Sequence, residues 1–251
     1  MTCETDDWDT LMPGVSVSGD EPPLANFMEQ PMLDVLLAAE AFIDIVDSRR
    51  VPGAPREDNI GLADFESEAD ILLDLTTDYE GLKEELFTNF NAWGGTNIGG
   101  GLRLGLSVLG DGRWNSTHYM ILVTDGWPTH YDSPYTNPTS FGTRCPTPGG
   151  QNLPCEGSLD YIDAQIEAAN AQNVTIFAIG LGDAVTDTFD ASVSAAYVDD
   201  YGAAAENFSG MDLLERIAGG TNGQAYHAPT TEELEEIFGW IAEAIFIRIT
   251  R

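Results

Sequence analysis

Two stretches decide how this chain is read: Gly94-Gly95-Thr96-Asn97-Ile98-Gly99 and Met120-Ile121-Leu122-Val123-Thr124-Asp125-Gly126. The second is a continuous apolar run with β-branched members, closed abruptly by an acid and a glycine. Such a run reads as a central strand of a parallel sheet, buried on both faces and ended by a turn. The first is a glycine-rich turn in which Thr96 and Asn97 can cap a helix that carries Ile98, Leu102, Leu106 and Leu109 inward. In parallel sheets, ligands sit beyond the carboxyl ends of the strands. Asp125 lies just past the end of its strand and Thr96 at the start of its helix, so both are expected to face one crevice.

Working outward, Met32, Val35, Leu36, Ala39, Phe42, Ile43 and Val46 recur at helical spacing behind Pro31, which suits a first helical position. Ile60 to Phe65 and Ile71 to Leu75 read as neighbouring strands, joined as a hairpin across Glu66 to Ala69. Thr77-x-x-Glu80 reads as a capping box opening a helix with Leu82, Leu86 and Phe90 on one face. Residues 127–158 are rich in Pro, Gly, Thr and Tyr and read as a long loop of the functional kind. A helix from about Leu159 to Ala171 leads into a second buried strand, Val174 to Ile179. Leu213, Leu214 and Ile217 belong to a short helix stopped by Gly219-Gly220. Ala225-Tyr226-His227 reads as a short edge strand, and the last helix begins near Thr230. Residues 1–30 are Pro-, Gly- and Asp-rich and read as irregular. Strands alternating with helices give an α/β chain, Rossmann-like and doubly wound, with a mostly parallel sheet and helices on both faces. The length of 251 residues suits one large domain, placed at residues 31–251.

Charge narrows the partners. The chain has 42 acidic and 10 basic residues, a formal net charge of -32, and Lys83 as its single lysine. Such a surface repels nucleic acid and anionic lipid and suits a cation-rich setting. The most apolar helical segment, Phe238 to Ile249, is interrupted by Glu243 and Arg248, so it reads as core packing and not as a membrane span. Met1 to Gln30 holds no apolar h-region of a signal peptide. Cys145 and Cys155 flank a proline- and glycine-rich loop. A disulfide between them would suit an extracytoplasmic setting, leaving Cys3 free or able to replace one of the two.

The carboxylate of Asp125 and the hydroxyl of Thr96 are hard oxygen donors. They suit Mg²⁺, Mn²⁺ or Ca²⁺ and no thiophilic metal. An Asp-Gly turn or a Thr-Asn cap alone is ordinary structure. The inference comes from having both, in order and about 30 residues apart, within one strand–helix context. Competing chemistry finds little support. The glycine-rich run lacks the Lys-Ser/Thr of a phosphate loop and the dinucleotide pattern. His118, His130 and His227 are scattered with no nucleophile beside them, which argues against hydrolase chemistry. Asp6, Asp7 and Asp9 read as a solvated acidic stretch. Asn115, Asn173 and Asn207 open glycosylation sequons, a pattern common by chance.

With these residues in place, the chain from about Pro31 to Ile245 resembles the von Willebrand factor type A family. The resemblance rests on Ile60 to Phe65, Leu73 to Asp78, the Gly-Gly-Thr-Asn-Ile-Gly phrase, the Val-Thr-Asp-Gly phrase, Ile176 to Gly182, Ile217 to Gly223 and the acidic Glu232-Glu233-Leu234 helix, all in the family's order. It implies a non-catalytic binding domain for adhesion or assembly, related to bacterial or archaeal surface and pilus-associated proteins. It also implies a metal-ion-dependent adhesion site whose cation accepts an acidic side chain from a protein partner. The family builds that site from an Asp-x-Ser-x-Ser turn, a distant Thr and a distant Asp. The last two map to Thr96 and Asp125, and the turn maps to nothing. Ser16-Val17-Ser18-Gly19-Asp20 has no leading Asp and no apolar strand before it, so it is rejected as a substitute.

Three expectations follow. The family's first central strand is missing, and its place lies between the strands at Ile60 and Tyr119. Metal binding by Thr96 and Asp125 alone is weak or absent. Met1 corresponds to the methionine that often follows the Asp-x-Ser motif, so that an upstream in-frame segment would supply the strand. The alternatives are an A-type module of a cytoplasmic ATPase or chelatase-like complex, and a purely structural acidic surface protein.

Overall fold

The computed structural model describes residues 32–50, 57–89, 94–113, 115–132, 142–145, 154–188 and 209–249. The acidic segment 1–30, Pro31, Cys3, the Ser16–Asp20 stretch and Asn207 lie outside them. In chain order the elements are α1 (Met32–Ser48), β1 (Ile60–Phe65), β2 (Ala69–Thr76), α2 (Tyr79–Thr88), α3 (Ile98–Gly110), β3 (His118–Thr124), β4 (His130–Tyr131), β5 (Thr143–Arg144), α4 (Glu156–Ala171), β6 (Val174–Leu181), α5 (Gly210–Gly219), β7 (Ala225–Ala228) and α6 (Thr231–Ile249).

β6 is the spine of the molecule because its side chains are apolar on both faces. Ile176 and Ala178 face a core built with α3, α4 and α5, among them Leu102, Leu106, Ile162 and Ile217. Phe177 and Ile179 face the opposite way, into Val35 and Ala38 of α1 and Leu234, Phe238 and Ile241 of α6. Fully burying one such side chain is worth about 1.5–3 kcal/mol. β6 runs parallel to β3, from His118↔Val174 to Thr124↔Gly180, and parallel to β7 on its other side. Thr221, 1% exposed, ties this sheet to α5. Its hydroxyl accepts from the Ile176 N–H at 3.0 Å and donates to the Ala218 carbonyl at 3.1 Å.

Several local expectations are refined. The helix after β2 is capped by Asp78, whose Oδ1 accepts from the Gly81 N–H, and not by Thr77. Thr76 Oγ1 accepts from the Asp78 N–H instead, which positions the cap. α4 starts at Glu156, three residues before Leu159, because Cys155 and Ser158 form its capping box. The 127–158 loop is therefore not structureless throughout. It contains the β4–β5 hairpin and closes on the Cys145–Cys155 disulfide.

The largest correction concerns β3. The continuous apolar run predicts a central strand, yet among the described residues β3 is an edge of its three-stranded sheet, and β1 pairs with β2 in a separate antiparallel sheet. The gap between β1 and β3 falls where the missing central strand is expected, between the strands at Ile60 and Tyr119. Leu122 and Thr124 are buried, while the other residues of β3 are half-buried. A cavity of about 360 Å³ runs between the two strands, lined by residues of both. Among the described residues β1 and β3 do not pair.

Candidate functional site

β1 and β3 end at the same side of the molecule, and the loop before α3 joins them there. The Asn97 N–H donates to the Glu66 carbonyl just after β1, at 2.7 Å. The Thr96 carbonyl accepts from Thr129 and His130 just after β3, at 2.9 and 3.1 Å, and the Thr96 N–H donates to Thr129 Oγ1 at 2.9 Å. Thr96 is thus held by its main chain on both sides, leaving its hydroxyl free of these bonds.

The structure brings Thr96 and the Asp125–Gly126 turn together. A Cβ placed on Gly126 would lie 3.3 Å from Thr96 Oγ1. Asp125 is exposed and Thr96 half-buried. The turn is closed by Thr124, whose Oγ1 accepts from the Gly126 N–H at 3.3 Å. Both residues therefore stand at the carboxyl edge of the strands, as their sequence context requires.

Other residues at this edge escaped the sequence reading. Ser67 Oγ accepts from the Gly95 N–H at 2.8 Å. Gly94 adopts φ +119°, and a Cβ there would lie 2.8 Å from Glu66 Oε2. The Glu66 carboxyl is held above its ordinary range by burial and by the neighbouring Glu68 and Asp70. A sequence signal existed in the acidic run Glu66-Ser67-Glu68-Ala69-Asp70, but a hairpin turn accounts for that run equally well.

Behind the loop sits a polar support. Asn97, fully buried, caps α3 by accepting from the Gly100 N–H at 2.9 Å and donates to Asp132 Oδ1 at 2.8 Å. Asp132 Oδ2 also accepts from Arg103 Nε and Nη2 at 3.1 and 3.0 Å and from the Tyr161 hydroxyl at 3.2 Å. Burial, reinforced by the Asp132 charge, pushes the Tyr161 hydroxyl up to about 12. His130 packs against Gly95, and its Nδ1 lies 3.0 Å from Thr129 Oγ1. Burial, and then the Arg144 cation, lower its pKa. The same segment is anchored by the Cys145 N–H, which donates to the Thr129 carbonyl at 2.8 Å, and by the Cys145–Cys155 disulfide.

Thr96 and Asp125 have the right oxygen chemistry, but Mg²⁺ takes about six oxygens. No group of three His, Cys, Asp or Glu side chains able to hold a metal occurs among the described residues.

Residues 28–127 match the family model of the von Willebrand factor type A domain. Comparison with curated proteins found no match. Among solved structures, the chain is similar to the von Willebrand factor domain of the type V pili tip protein Mfa5 from Porphyromonas gingivalis, with 15% identity, 88% of this chain and 90% of that chain covered, and a TM-score of 0.57. It is similar to the pilus adhesin SpaC from Lactobacillus rhamnosus GG, with 18% identity and a TM-score of 0.59, covering 85% of this chain and 28% of that one. It is also similar to BatB from Bacteroides thetaiotaomicron, with 16% identity, 85% and 89% coverage, and a TM-score of 0.51. At these identities the likeness shows the fold.

Proposed function

We propose that this chain is a non-catalytic binding domain for adhesion or assembly, a reading supported by the match of residues 28–127 to the von Willebrand factor type A model and by the likeness of its fold to such domains. The observation that carries the reading is the meeting of Thr96 with the Asp125–Gly126 turn at the carboxyl edge of the strands. The Thr96 hydroxyl against the exposed Asp125–Gly126 turn, next to a disulfide-anchored loop, supports a ligand-binding reading. Partner choice falls to residues 127–158, since loops on a rigid scaffold carry specificity.

The metal site is incomplete in this reading. Thr96 and Asp125 are two surviving ligands of the adhesion site. Mg²⁺, Mn²⁺ or Ca²⁺ binds weakly or not at all until further oxygen ligands are supplied. The partner in the intact family presents an acidic side chain, and here that recognition is correspondingly impaired. Titration calorimetry with MgCl₂ at neutral pH tests this. Micromolar affinity abolished by Asp125→Ala would overturn it.

An extracytoplasmic or cell-surface location fits three observations. The Cys145–Cys155 bond belongs to oxidising compartments, the net charge of -32 tolerates divalent cations, and pilus adhesins are among the similar structures. Among the described residues no helix is long and apolar enough to cross a membrane.

A further inference from the structure

The sequons Asn115-Ser116-Thr117 and Asn173-Val174-Thr175 open at the amino ends of two neighbouring strands. β3 and β6 are parallel and in register from His118↔Val174, so both asparagines precede the same end of the sheet. Asp125 follows the other end of β3. The 7 residues of β3, rising ~3.3 Å each, separate the two ends by about 23 Å. Both asparagines are exposed, yet their surroundings differ. Asn173 adopts φ +55° in the turn between α4 and β6, and its N–H donates to the Asn170 carbonyl at 3.1 Å. Asparagine suits that left-handed position on its own account. Thr175 is half-buried in β6 and paired with Tyr119. Asn115 carries no such backbone constraint, because among the described non-glycine residues positive φ occurs only at Asn173 and Asn222. Its whole tripeptide lies ahead of β3. Asn115 and Thr117 are exposed. Ser116 between them ties the turn down, with its N–H and its hydroxyl both donating to the Arg113 carbonyl, at 3.0 and 2.5 Å.

We infer that Asn115 is the acceptor of an N-linked glycan, whereas Asn173 is a structural asparagine. The inference rests on the extracytoplasmic location proposed above, which the Cys145–Cys155 bond also suits. In the transfer, Asn115 Nδ2 forms a bond to the anomeric carbon of a sugar carried on a polyprenyl diphosphate. The bond from that carbon to the diphosphate oxygen breaks. The polyprenyl diphosphate leaves with the electron pair, and Nδ2 releases one proton. The hydroxyl that completes the sequon is that of exposed Thr117, whereas Thr175 is held in a paired strand. A glycan on Asn115 adds bulk and hydration to the amino end of the sheet and leaves the Thr96–Asp125 edge open to a partner.

The test isolates the full chain from its own cells and maps it by mass spectrometry. Trypsin, cutting after Arg113 and Arg144, releases Asn115 on a peptide, 114–144, that holds neither Asn173 nor Asn207. The expected result is a shift of this peptide by the mass of one or more sugar residues in most copies. The shift should be lost in Asn115→Gln and in Thr117→Ala and kept in Thr117→Ser. All three variants exchange an exposed side chain and should stay folded by far-UV circular dichroism. An unshifted peptide 114–144, a glycan on Asn173 in its place, or a shift that persists in Thr117→Ala would each overturn the inference. Protease treatment of intact cells separates two ways of failing. A chain that is digested yet unshifted refutes the acceptor role alone. A chain that is protected and unshifted refutes the location on which that role rests as well.

Discussion

Asn97 and Asp132 are joined by a 2.8 Å hydrogen bond from the carboxamide Nδ2 to the carboxylate Oδ1. The bond links the cap of α3 to the segment that follows β3, adding a buried side-chain tie to the main-chain bonds of Thr96 with Thr129 and His130. Asn97 meets the Glu66 carbonyl, the Gly100 N–H and Asp132 at once.

Asn97→Ala removes the cap and one donor to Asp132, and is expected to cost about 2–3 kcal/mol. Asn97→Asp keeps the acceptor for Gly100 but sets a second carboxylate against Asp132. It should be the worse variant at pH 7 and recover part of its stability at pH 4. Urea unfolding at the two pH values decides between a cap lost and a charge opposed.

Thr221→Val keeps the shape of a buried side chain and leaves the Ile176 N–H without its acceptor. The expected cost is about 1–3 kcal/mol. Thr221→Ser keeps the hydroxyl and should recover most of the polar loss. Parallel thermal melts of the two variants measure the difference.

Cys145→Ser with Cys155→Ser opens a loop with a sequence separation of 10. The chain-entropy relation gives a loss of about 2–3 kcal/mol. Serine at 155 can still cap α4, so the helix itself should persist. Unfolding midpoints with and without reductant should converge for the double variant and differ for the parent chain.

His130 and Glu66 make opposite contributions to stability with pH. The folded His130 pKa lies below the ordinary value of 6.5, so the unfolded chain binds the extra proton first. Its contribution is present above pH 6.5 and is lost as pH falls through the folded value. The folded Glu66 pKa lies above 4.5, so its contribution is present below pH 4.5 and is lost as pH rises through the folded value. His130→Gln should flatten the decline below pH 6.5, and Glu66→Gln should raise stability at pH 7 relative to pH 4. Melting temperatures across pH 4–8 check both signs.

Much of the fold was legible because periodicity reports burial. The double-faced apolar run of β6, the helical spacing in α1 and α3, and the acidic opening of α6 each name their element without reference to the rest of the chain. Thr96 and Asp125 were legible for the same reason, since their positions at a helix start and a strand end follow from local pattern alone. Glu66, Ser67 and Asp132 were not. Each is an unremarkable turn residue until the chain returns to it, as Ser67 meets Gly95 and Asp132 meets Asn97, Arg103 and Tyr161.

The sequence by itself determined the α/β class, the family resemblance and the two hard-oxygen residues, because these depend on neighbours in the chain. The tertiary structure decided that, among the described residues, β3 is an edge, that β1 and β3 line one cavity without pairing, and that Cys145 pairs with Cys155. Apolarity in a sequence fixes only that a strand is buried. Which strand lies beside it is decided by main-chain hydrogen bonds between distant segments, and among the described residues β1 and β3 share no ladder.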